Sequence, residues 1–249
     1  MPTTYFTSDT HLHHRLMVIL RGFVPEDTTK DQVTEDDLAR HDESIIEAWN
    51  ASVRPEDTVW HLGDLTLQRP SAIAHLIARL NGDIRLVLGN HDRAHPLFGS
   101  KSVPAHTELL EAGISYATMA ARVTLRESDH NRIPVVLSHF PYAGDHTFED
   151  RFEQWRLRDV GEILLHGHTH SDQVLTDAGN RQIHVGWDAW GRPVSEDEIV
   201  ELIRSQGIAQ SPPRDEDPHA HLGEDEAQRE TMSRTAAMTT PEPKNVTEV

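Results

Sequence analysis

Five short apolar stretches of this chain are each followed by residues that can bind a metal ion. One stretch, residues 59–62, leads through Gly63 to the carboxylate of Asp64. A Gly-Asp pair after an apolar run is by itself ordinary turn chemistry. The other four stretches lead to further nitrogen and oxygen donors, which are Asp9 and His11, Asn90, His139, and His168 and His170. Their recurrence predicts that these side chains converge on one metal site.

The donors are too numerous for one ion and suit a pair. A tetrahedral zinc site needs three or four protein ligands, whereas this chain offers seven. The absence of cysteine excludes thiolate metal sites, disulfides and cysteine nucleophiles. We expect two divalent ions, manganese first, with iron, zinc and nickel as alternatives. Two ions about 3.5–4 Å apart, joined by a bridging carboxylate, recur in hydrolysis at phosphorus.

Each pattern has a simpler interpretation when it is taken alone. In Asp9-x-His11 and in His168-x-His170, strand alternation would place both side chains on one face, where a single ion could take them. Either pair could instead be a solvated polar turn, and His139 could be an ordinary histidine at a strand end. The ordered set of five favours the metal site over these alternatives.

Composition narrows the class of substrate. The formal net charge of −18 argues against a broad basic surface for long nucleic acid, because phosphate contacts need Lys and Arg. A small phosphorylated substrate is compatible, since metal ions supply local positive charge. No apolar run approaches the roughly 20 residues of a membrane helix, and the N-terminus lacks a secretion signal. We therefore expect a cytoplasmic protein without a membrane partner, and no oligomeric state follows from the sequence.

The donors need a scaffold that brings strand ends together. Strands alternate with helices along the chain, which predicts an α/β fold with its site at the carboxyl ends of the strands. We expect one domain over residues 1–208 and a disordered acidic tail over residues 209–249. Strands are predicted at residues 3–8, 59–64, 84–88, 120–126, 133–138, 162–165 and 182–186, and helices at residues 34–50, 71–80, 107–112, 148–158 and 195–205.

The ordered motifs resemble those of a known family. The motifs are Asp9-x-His11, Gly63-Asp64, Gly89-Asn90-His91-Asp92, His139 and Gly167-His168-x-His170. Together they are similar to the motif series of the calcineurin-like metallophosphoesterase superfamily. Finer features, among them the Trp-Asp-Ala-Trp sequence at residues 187–190, resemble a compact bacterial and phage branch described as phosphoesterases.

The resemblance implies a four-layer α/β/β/α sandwich and a role for each motif residue. The implied ligands fall into two sets, one for each ion: Asp9, His11 and His170, and Asn90, His139 and His168. Asp64, taken as the only carboxylate placed to be shared, would bridge the two ions. His91 would be the catalytic histidine, and Asp92 would orient it.

The expected function is that of a metal-dependent phosphoric ester hydrolase. A metal-bridging hydroxide would attack a phosphate mono- or diester, while His91 would protonate the leaving oxygen or stabilise the transition state. One alternative is a non-catalytic interaction module on the same metal-binding scaffold, although such modules typically lack the histidine that this chain has at position 91. A nuclease is a further alternative that the acidic charge disfavours.

Other residues near the motifs carry weaker predictions. His13 and His14 either contact substrate phosphate or are solvated at a helix start. The segment with Arg151 and Arg156 is predicted to be a solvated amphipathic helix, with a lid over the site as the alternative. Four histidines lie among polar residues and are predicted at the surface: His41, His146, His219 and His221.

Overall fold

Two β-sheets form the frame of the protein. The computed structural model describes residues 2–127, 131–145, 147, 149–175 and 181–208. Within these residues the strands are β1 (Thr4–Thr7), β2 (Thr58–His61), β3 (Asp83–Val87), β4 (Tyr116–Thr118), β5 (Ala121–Arg126), β6 (Arg132–Leu137), β7 (Ile163–His166), β8 (Gln182–His184) and β9 (Val194–Ser195). The first sheet has the order β4-β3-β2-β1-β9, and the second has the order β5-β6-β7-β8.

The helices lie between these strands along the chain. Within the described residues they are α1 (Arg15–Leu20), α2 (Glu35–Ser52), α3 (Pro70–Ile77), α4 (Ser102–Glu111), α5 (Trp187–Trp190) and α6 (Glu196–Ser205). Shorter 3₁₀ turns occur at Lys30–Gln32, Pro96–Lys101 and Glu153–Trp155. No helix among the described residues is long and apolar enough to cross a membrane.

Parallel pairing brings the carboxyl ends of the strands together. Strands β1 to β4 run parallel, and so do β6 to β8, whereas β9 and β5 are antiparallel to their neighbours. Thr7 pairs with His61, and His61 pairs with Leu86, so β1, β2 and β3 end at nearly the same level. The loops that follow these strands therefore start side by side.

Two apolar cores hold the layers together. One core lies between the sheets, where Phe6, Trp60 and Leu62 of the first sheet meet residues such as Leu137 and Leu165 of the second. The other core packs the opposite face of the first sheet against helices α2, α3 and α4. Burial of this much apolar surface is the main stabilising contribution to such a fold.

Helix α2 carries polar groups towards the strand ends. It begins with a capping box, in which Thr34 and Asp37 exchange side-chain to backbone hydrogen bonds. Its buried face is apolar at helical spacing, with Leu38, Ile45, Ile46 and Trp49. His41 and Asp42 lie on that same buried face.

Tyr142, in the segment between β6 and β7, lies on the outer face of the second sheet. Gln182 of β8 points away from the inter-sheet core, and its Oε1 accepts a hydrogen bond of 2.7 Å from the Tyr142 N–H. The Tyr142 hydroxyl donates to the Glu162 carbonyl at 3.3 Å. This surface of the sheet is thus covered by a chain segment that the site also uses.

The predicted α/β fold class is confirmed, with one wrong helix. Residues 148–158 form only the 3₁₀ turn Glu153–Trp155 within the described chain, because Phe152 adopts a left-handed φ of 59° and the Arg156 guanidinium bonds to backbone carbonyls. The short helices α1 and α5 were not predicted, and most other elements are present with shifted ends. The predicted tail, residues 209–249, lies outside the described residues, so that boundary stays a prediction.

Candidate metal centre

Every predicted ligand lies just beyond the carboxyl end of a strand. Asp9 and His11 follow β1, Asp64 follows β2, Asn90 follows β3, His139 follows β6, and His168 and His170 follow β7. The structure brings all seven to one edge of the stacked sheets. Six of them are buried there, and His170 is partly exposed. The two sheets therefore contribute jointly to a single site.

The ligand pairs do not reach the site by strand alternation. Five ligands adopt left-handed backbone conformations, with φ values of 56° for Asp9, 50° for His11, 57° for Asp64, 73° for His168 and 51° for His170. Such values are uncommon outside glycine and cost conformational energy. The loops turn sharply at each ligand, so the expectation of a common strand face for the two His-containing pairs is wrong, although each pair still faces one site.

One group of ligand atoms comes from Asp9, His11 and His170, whose donor atoms lie within 4.8 Å of one another. The Nε2 atoms of His11 and His170 are 3.1 Å apart, and the two rings are stacked with centroids 5.0 Å apart. Nδ1 of His170 faces the Asp188 carboxylate at 2.7 Å. Because a carboxylate only accepts, Nδ1 carries the proton and Nε2 presents its lone pair to His11.

A second group comes from Asp9, Asp64 and His139. Nδ1 of His139 donates to the Leu62 carbonyl at 2.8 Å, which leaves a lone pair on Nε2. That Nε2 lies 3.1 Å from Asn90 Oδ1 and 3.3 Å from His168 Nδ1. Asn90 and His168 thus complete this group.

His168 repeats the same arrangement. Its Nε2 lies 3.1 Å from Asp145 Oδ2, so Nε2 carries the proton and Nδ1 presents a lone pair to His139. Lone pairs that face one another at hydrogen-bond distance repel unless a cation lies between them. The donor set therefore fits divalent ions. Three of its four imidazoles, those of His139, His168 and His170, are oriented by a carbonyl or a carboxylate as metal-binding histidines commonly are.

Asp64 lies between the two groups. Its Oδ2 is 3.7 Å from His11 Nε2 and 3.6 Å from His139 Nε2, one histidine of each group. Its Oδ1 accepts the His91 N–H at 2.9 Å. Asp9 also belongs to both groups, so Asp64 is not the only carboxylate placed to be shared.

Buried charge sets the protonation of the centre. Burial and the neighbouring charges of Asp92 and Asp9 raise the pKa of Asp64 well above its ordinary value. Burial lowers the pKa of His11 and His139 and brings that of His168 to about 3. These three imidazoles are therefore neutral at physiological pH, as metal ligation requires, and a cation would favour ionised Asp64.

His170 differs from the other imidazoles. Burial lowers its pKa, but the hydrogen bond that His170 donates to Asp188 and the charge of Asp9 outweigh that effect and leave the pKa above its ordinary value. A proton therefore competes for His170 at a higher pH than for His168. The two groups differ in their expected response to acid.

Two glycines let the ligand loops approach the carboxylates. A Cβ at Gly89 would overlap Asp64 Oδ1, and a Cβ at Gly167 would overlap Asp9 Oδ2 and the Ser8 hydroxyl. The Ser8 hydroxyl donates a short hydrogen bond to Asp9 Oδ2. Any larger residue at either position would displace a ligand.

His91 lies at the open side of the centre. Its side chain is 45% exposed, and its Nε2 is 3.9 Å from Asp64 Oδ2. Burial, together with the charges of His139 and His170, lowers its pKa to about 4. The ring is therefore neutral near pH 7 and can reach a molecule held at the centre.

Asp92 does not contact the His91 ring within the described residues. Its carboxylate accepts backbone N–H groups of Gly89 at 2.8 Å, Asp64 at 2.9 Å and Leu65 at 3.0 Å. It thus fixes the loops after β2 and β3 to each other. Asp92 therefore holds two loops together, whereas the sequence predicts that it orients the His91 ring.

The sequence reasoning missed the side chains that support the ligands, notably Arg21, Asp145 and Asp188. His41, predicted at the surface, is fully buried, and that prediction is wrong. The signal was available, because His41 and Asp42 occupy the apolar stripe of α2. Asp188 was visible only as part of a family-like sequence, and Asp145 gave no periodic signal. The other histidines predicted at the surface lie outside the described residues.

Three further histidines lie close in sequence to the predicted ligands. The His14 ring lies 5.3 Å from that of His11, and its buried Nδ1 has no hydrogen-bond partner among the described residues. The His13 N–H donates to Asp42 at 2.7 Å. His166, fully buried in β7, has Nδ1 2.8 Å from the Gly167 carbonyl.

Known proteins share this sequence and fold. Residues 5–196 match the family model of the calcineurin-like phosphoesterase superfamily domain. The Gene 66 protein of Mycobacterium phage L5 is 43% identical over 209 residues, which cover 82% of this chain and 95% of that protein. The uncharacterized protein MJ1445 of Methanocaldococcus jannaschii is 26% identical over 220 residues, which cover 85% of this chain and 97% of that protein.

A solved structure shows the same architecture. The protein of unknown function AQ665 from Aquifex aeolicus superimposes with a TM-score of 0.54 at 24% sequence identity. The match covers 82% of this chain and 100% of that one. At this identity the likeness supports the fold.

Proposed function

This chain belongs to the calcineurin-like phosphoesterase superfamily, and on that premise we propose that it is a metal-dependent hydrolase of small phosphate mono- or diesters. The observation that carries the proposal is the convergence of imidazole lone pairs on two buried carboxylates. Lone pairs of His139, His168 and His170 face neighbouring donor atoms at 3.1–3.3 Å. Cations among these atoms would remove the repulsion between the facing lone pairs.

The residues divide into two ligand sets around shared carboxylates. Asp9, His11 and His170 would hold one ion, and Asn90, His139 and His168 would hold the other. The position of Asp64 between His11 and His139 supports a bridging role for it. Bound divalent ions would supply Lewis acidity and positive charge for attack at phosphorus, and we expect manganese, with iron, zinc or nickel as alternatives.

His91 would act on the substrate from the open side. Its neutral ring has one N–H to donate and lies within reach of an oxygen held near Asp64. A pKa of about 4 disfavours an imidazolium at neutral pH in the metal-free protein. We therefore assign His91 a hydrogen bond to the phosphoryl or leaving oxygen, which stabilises charge as it develops in the transition state.

The acidic chain favours a small substrate. A formal charge of −18 repels long polyanions, whereas a single phosphate group can reach the centre if the ions neutralise it. His14, whose ring lies beside His11, is a further candidate for contact with such a group. Long nucleic acid is not an expected partner.

Hydrolysis by reconstituted protein tests the proposal. The metal-stripped chain is refilled with Mn²⁺, Fe²⁺, Zn²⁺ or Ni²⁺ and assayed with an aryl phosphomonoester, the matching diester and single-stranded DNA. We expect turnover of at least one aryl ester with at least one ion, and none with the stripped protein. Metal binding without turnover of any substrate would favour the non-catalytic interaction module, and cleavage of DNA alone would favour a nuclease.

A further inference from the structure

Arg21 connects the loop after β1 to the opposite side of the centre. Its side chain is 11% exposed. Nη2 donates to the Asp9 carbonyl at 2.7 Å, and Nη1 donates to the Thr10 carbonyl at 2.8 Å. Nε donates to Asp188 Oδ1 at 2.9 Å. One side chain thus bonds to two consecutive backbone carbonyls and to a carboxylate from α5.

Asp188 passes this contact on to a ligand. Its other oxygen, Oδ2, accepts the Nδ1 proton of His170 at 2.7 Å. Nε2 of the same ring lies 4.0 Å from Asp9 Oδ1. A closed circuit therefore runs from Asp9 through Arg21, Asp188 and His170 back to Asp9.

The circuit encloses a strained backbone. Asp9 and His11 both adopt left-handed φ values, 56° and 50°, which non-glycine residues keep only where the surroundings hold them. The carbonyls that Arg21 binds belong to Asp9 and to Thr10, which lies between the two ligands. Loss of those bonds would let this loop relax towards ordinary φ values.

Arg21 is itself held from helix α2. Its Nη1 lies 3.2 Å from His41 Nε2, and His41 Nδ1 lies 3.3 Å from Asp42 Oδ1. Asp42 also accepts the His13 N–H. The buried polar face of α2 therefore fixes the guanidinium from behind.

We propose that Arg21, acting through Asp188, is a positioning residue that builds the ion site of Asp9, His11 and His170. It holds the β1 loop in its strained form and fixes the His170 ring at the same time. The inference rests on the proposed function only in that it takes this group to bind an ion. The competing explanation is an ordinary structural ion pair between α1 and α5.

Mn²⁺ titration of the metal-stripped full-length chain separates these explanations. Arg21→Gln and Asp188→Asn are each expected to weaken one of two bound ions about 10–100-fold, the range seen when the support of a metal-binding histidine is removed. The other ion should keep its affinity. Arg21→Lys, which retains the charge but reaches fewer acceptors, should recover part of the loss.

A matched control and a double variant complete the test. Arg192→Gln breaks a similar arginine–carboxylate pair, Arg192 with Glu198 at 2.6 Å, and should leave both affinities unchanged. The Arg21→Gln/Asp188→Asn variant should have the same Mn²⁺ affinity as the single variant that binds Mn²⁺ more weakly, because the two residues act as one unit. Electron paramagnetic resonance of the Mn²⁺-loaded variants should show isolated ions where the wild type shows a coupled pair.

Three outcomes would overturn the proposal: unchanged affinities in both single variants, equal weakening of both ions, or additive losses in the double variant. If Arg21→Gln fails to fold, Asp188→Asn, which keeps the shape of the side chain, decides alone. These experiments measure Mn²⁺ affinity and magnetic coupling, so their result does not depend on hydrolysis. If the wild type binds two ions but hydrolyses nothing, the proposed function fails while the positioning role is still judged on affinity.

Discussion

Each of the two ligand groups, which form the two halves of the metal centre, contains a histidine that is oriented by a carboxylate. The two carboxylates are themselves held in place in different ways. In the first half, His170 is held by Asp188 at 2.7 Å, and in the second half, His168 is held by Asp145 at 3.1 Å. Asp188 lies on α5 and is tied through Arg21 to the loop after β1. Asp145 lies in the irregular segment between β6 and β7.

Asp145 is held by side chains of its own segment. Arg151 donates to it from Nη2 at 3.0 Å and from the backbone N–H at 3.1 Å, and the Arg156 guanidinium lies 3.6 Å away. Burial raises the pKa of Asp145, but Arg151 and His168 outweigh this and hold the pKa below its ordinary value. Asp188 is tied through Arg21 to the loop after β1, whereas Asp145 depends on arginines of its own irregular segment, so we expect the second half to be the softer one.

Removal of Asp64, a carboxylate that lies between the two halves, should have the largest effect. Asp64→Ala deletes the carboxylate between His11 and His139, so neither ion keeps its full ligand set. We expect loss of bound Mn²⁺ and a fall in hydrolysis of at least about 10³-fold, since metal ions contribute several kcal/mol to such reactions. Metal analysis and turnover measure this, and a variant that keeps two ions and full turnover would refute the bridging role.

His91→Ala should separate chemistry from metal binding. The ring belongs to neither half, so both ions should remain bound while kcat falls about 10²–10⁴-fold. The measurement is kcat together with the Mn²⁺ content of the same sample. Loss of metal without a separate loss of turnover per bound ion would show that His91 is a ligand.

Asp145→Asn tests the softer half directly. It should weaken one ion about 10–100-fold and also increase amide hydrogen exchange in residues 138–162, because Arg151 and Arg156 lose their common partner. Asp188→Asn should weaken the other ion without that rise in exchange. Glu43→Gln, which breaks the exposed Arg79–Glu43 pair of 2.7 Å outside this segment, is the control and should change neither. Equal exchange in both ligand-support variants would show that the halves do not differ in rigidity.

Acid should affect the first half before the second. The pKa of His170 is raised above its ordinary value, so His170 takes up a second ring proton at a higher pH than His168, which stays neutral down to a pKa of about 3. As pH falls below the pKa of His170, the affinity of the first half should fall by at most about tenfold per pH unit, the limit for competition by one proton. Histidine NMR titrations of the metal-free protein, with Mn²⁺ titrations at several pH values, check this order. Titration of His168 above His170 would reverse it.

The sequence was most informative where chemistry coincided with regular structure. Asp64, Asn90 and His139 were recognisable because each follows a short apolar strand, and parallel strands bring such ends to one edge. The left-handed φ values of Asp9 and His170 had no comparable signal, because a short polar loop does not reveal its backbone angles. Whether these residues bind metal stays a prediction.

The supporting residues were harder to find for a different reason. Asp145 and Asp188 reach histidines 23 and 18 positions away in sequence, and such pairings depend on how the segments between them fold. The helix wrongly predicted over residues 148–158 gave no indication of the contacts of Asp145, because a solvated helix would place its arginines in solvent. His41 was misread because its polar type was given more weight than its place on the apolar stripe of α2.

The level ends of the strands also have a practical consequence for engineering. Because the ligand loops all follow carboxyl ends, Arg126 and Arg132, which are paired across β5 and β6, lie at the far end of β6 from His139. Six residues of strand span roughly 20 Å. A reporter domain or an affinity sequence grafted between Glu127 and Asn131, or new termini opened there by circular permutation, would be remote from the chemistry.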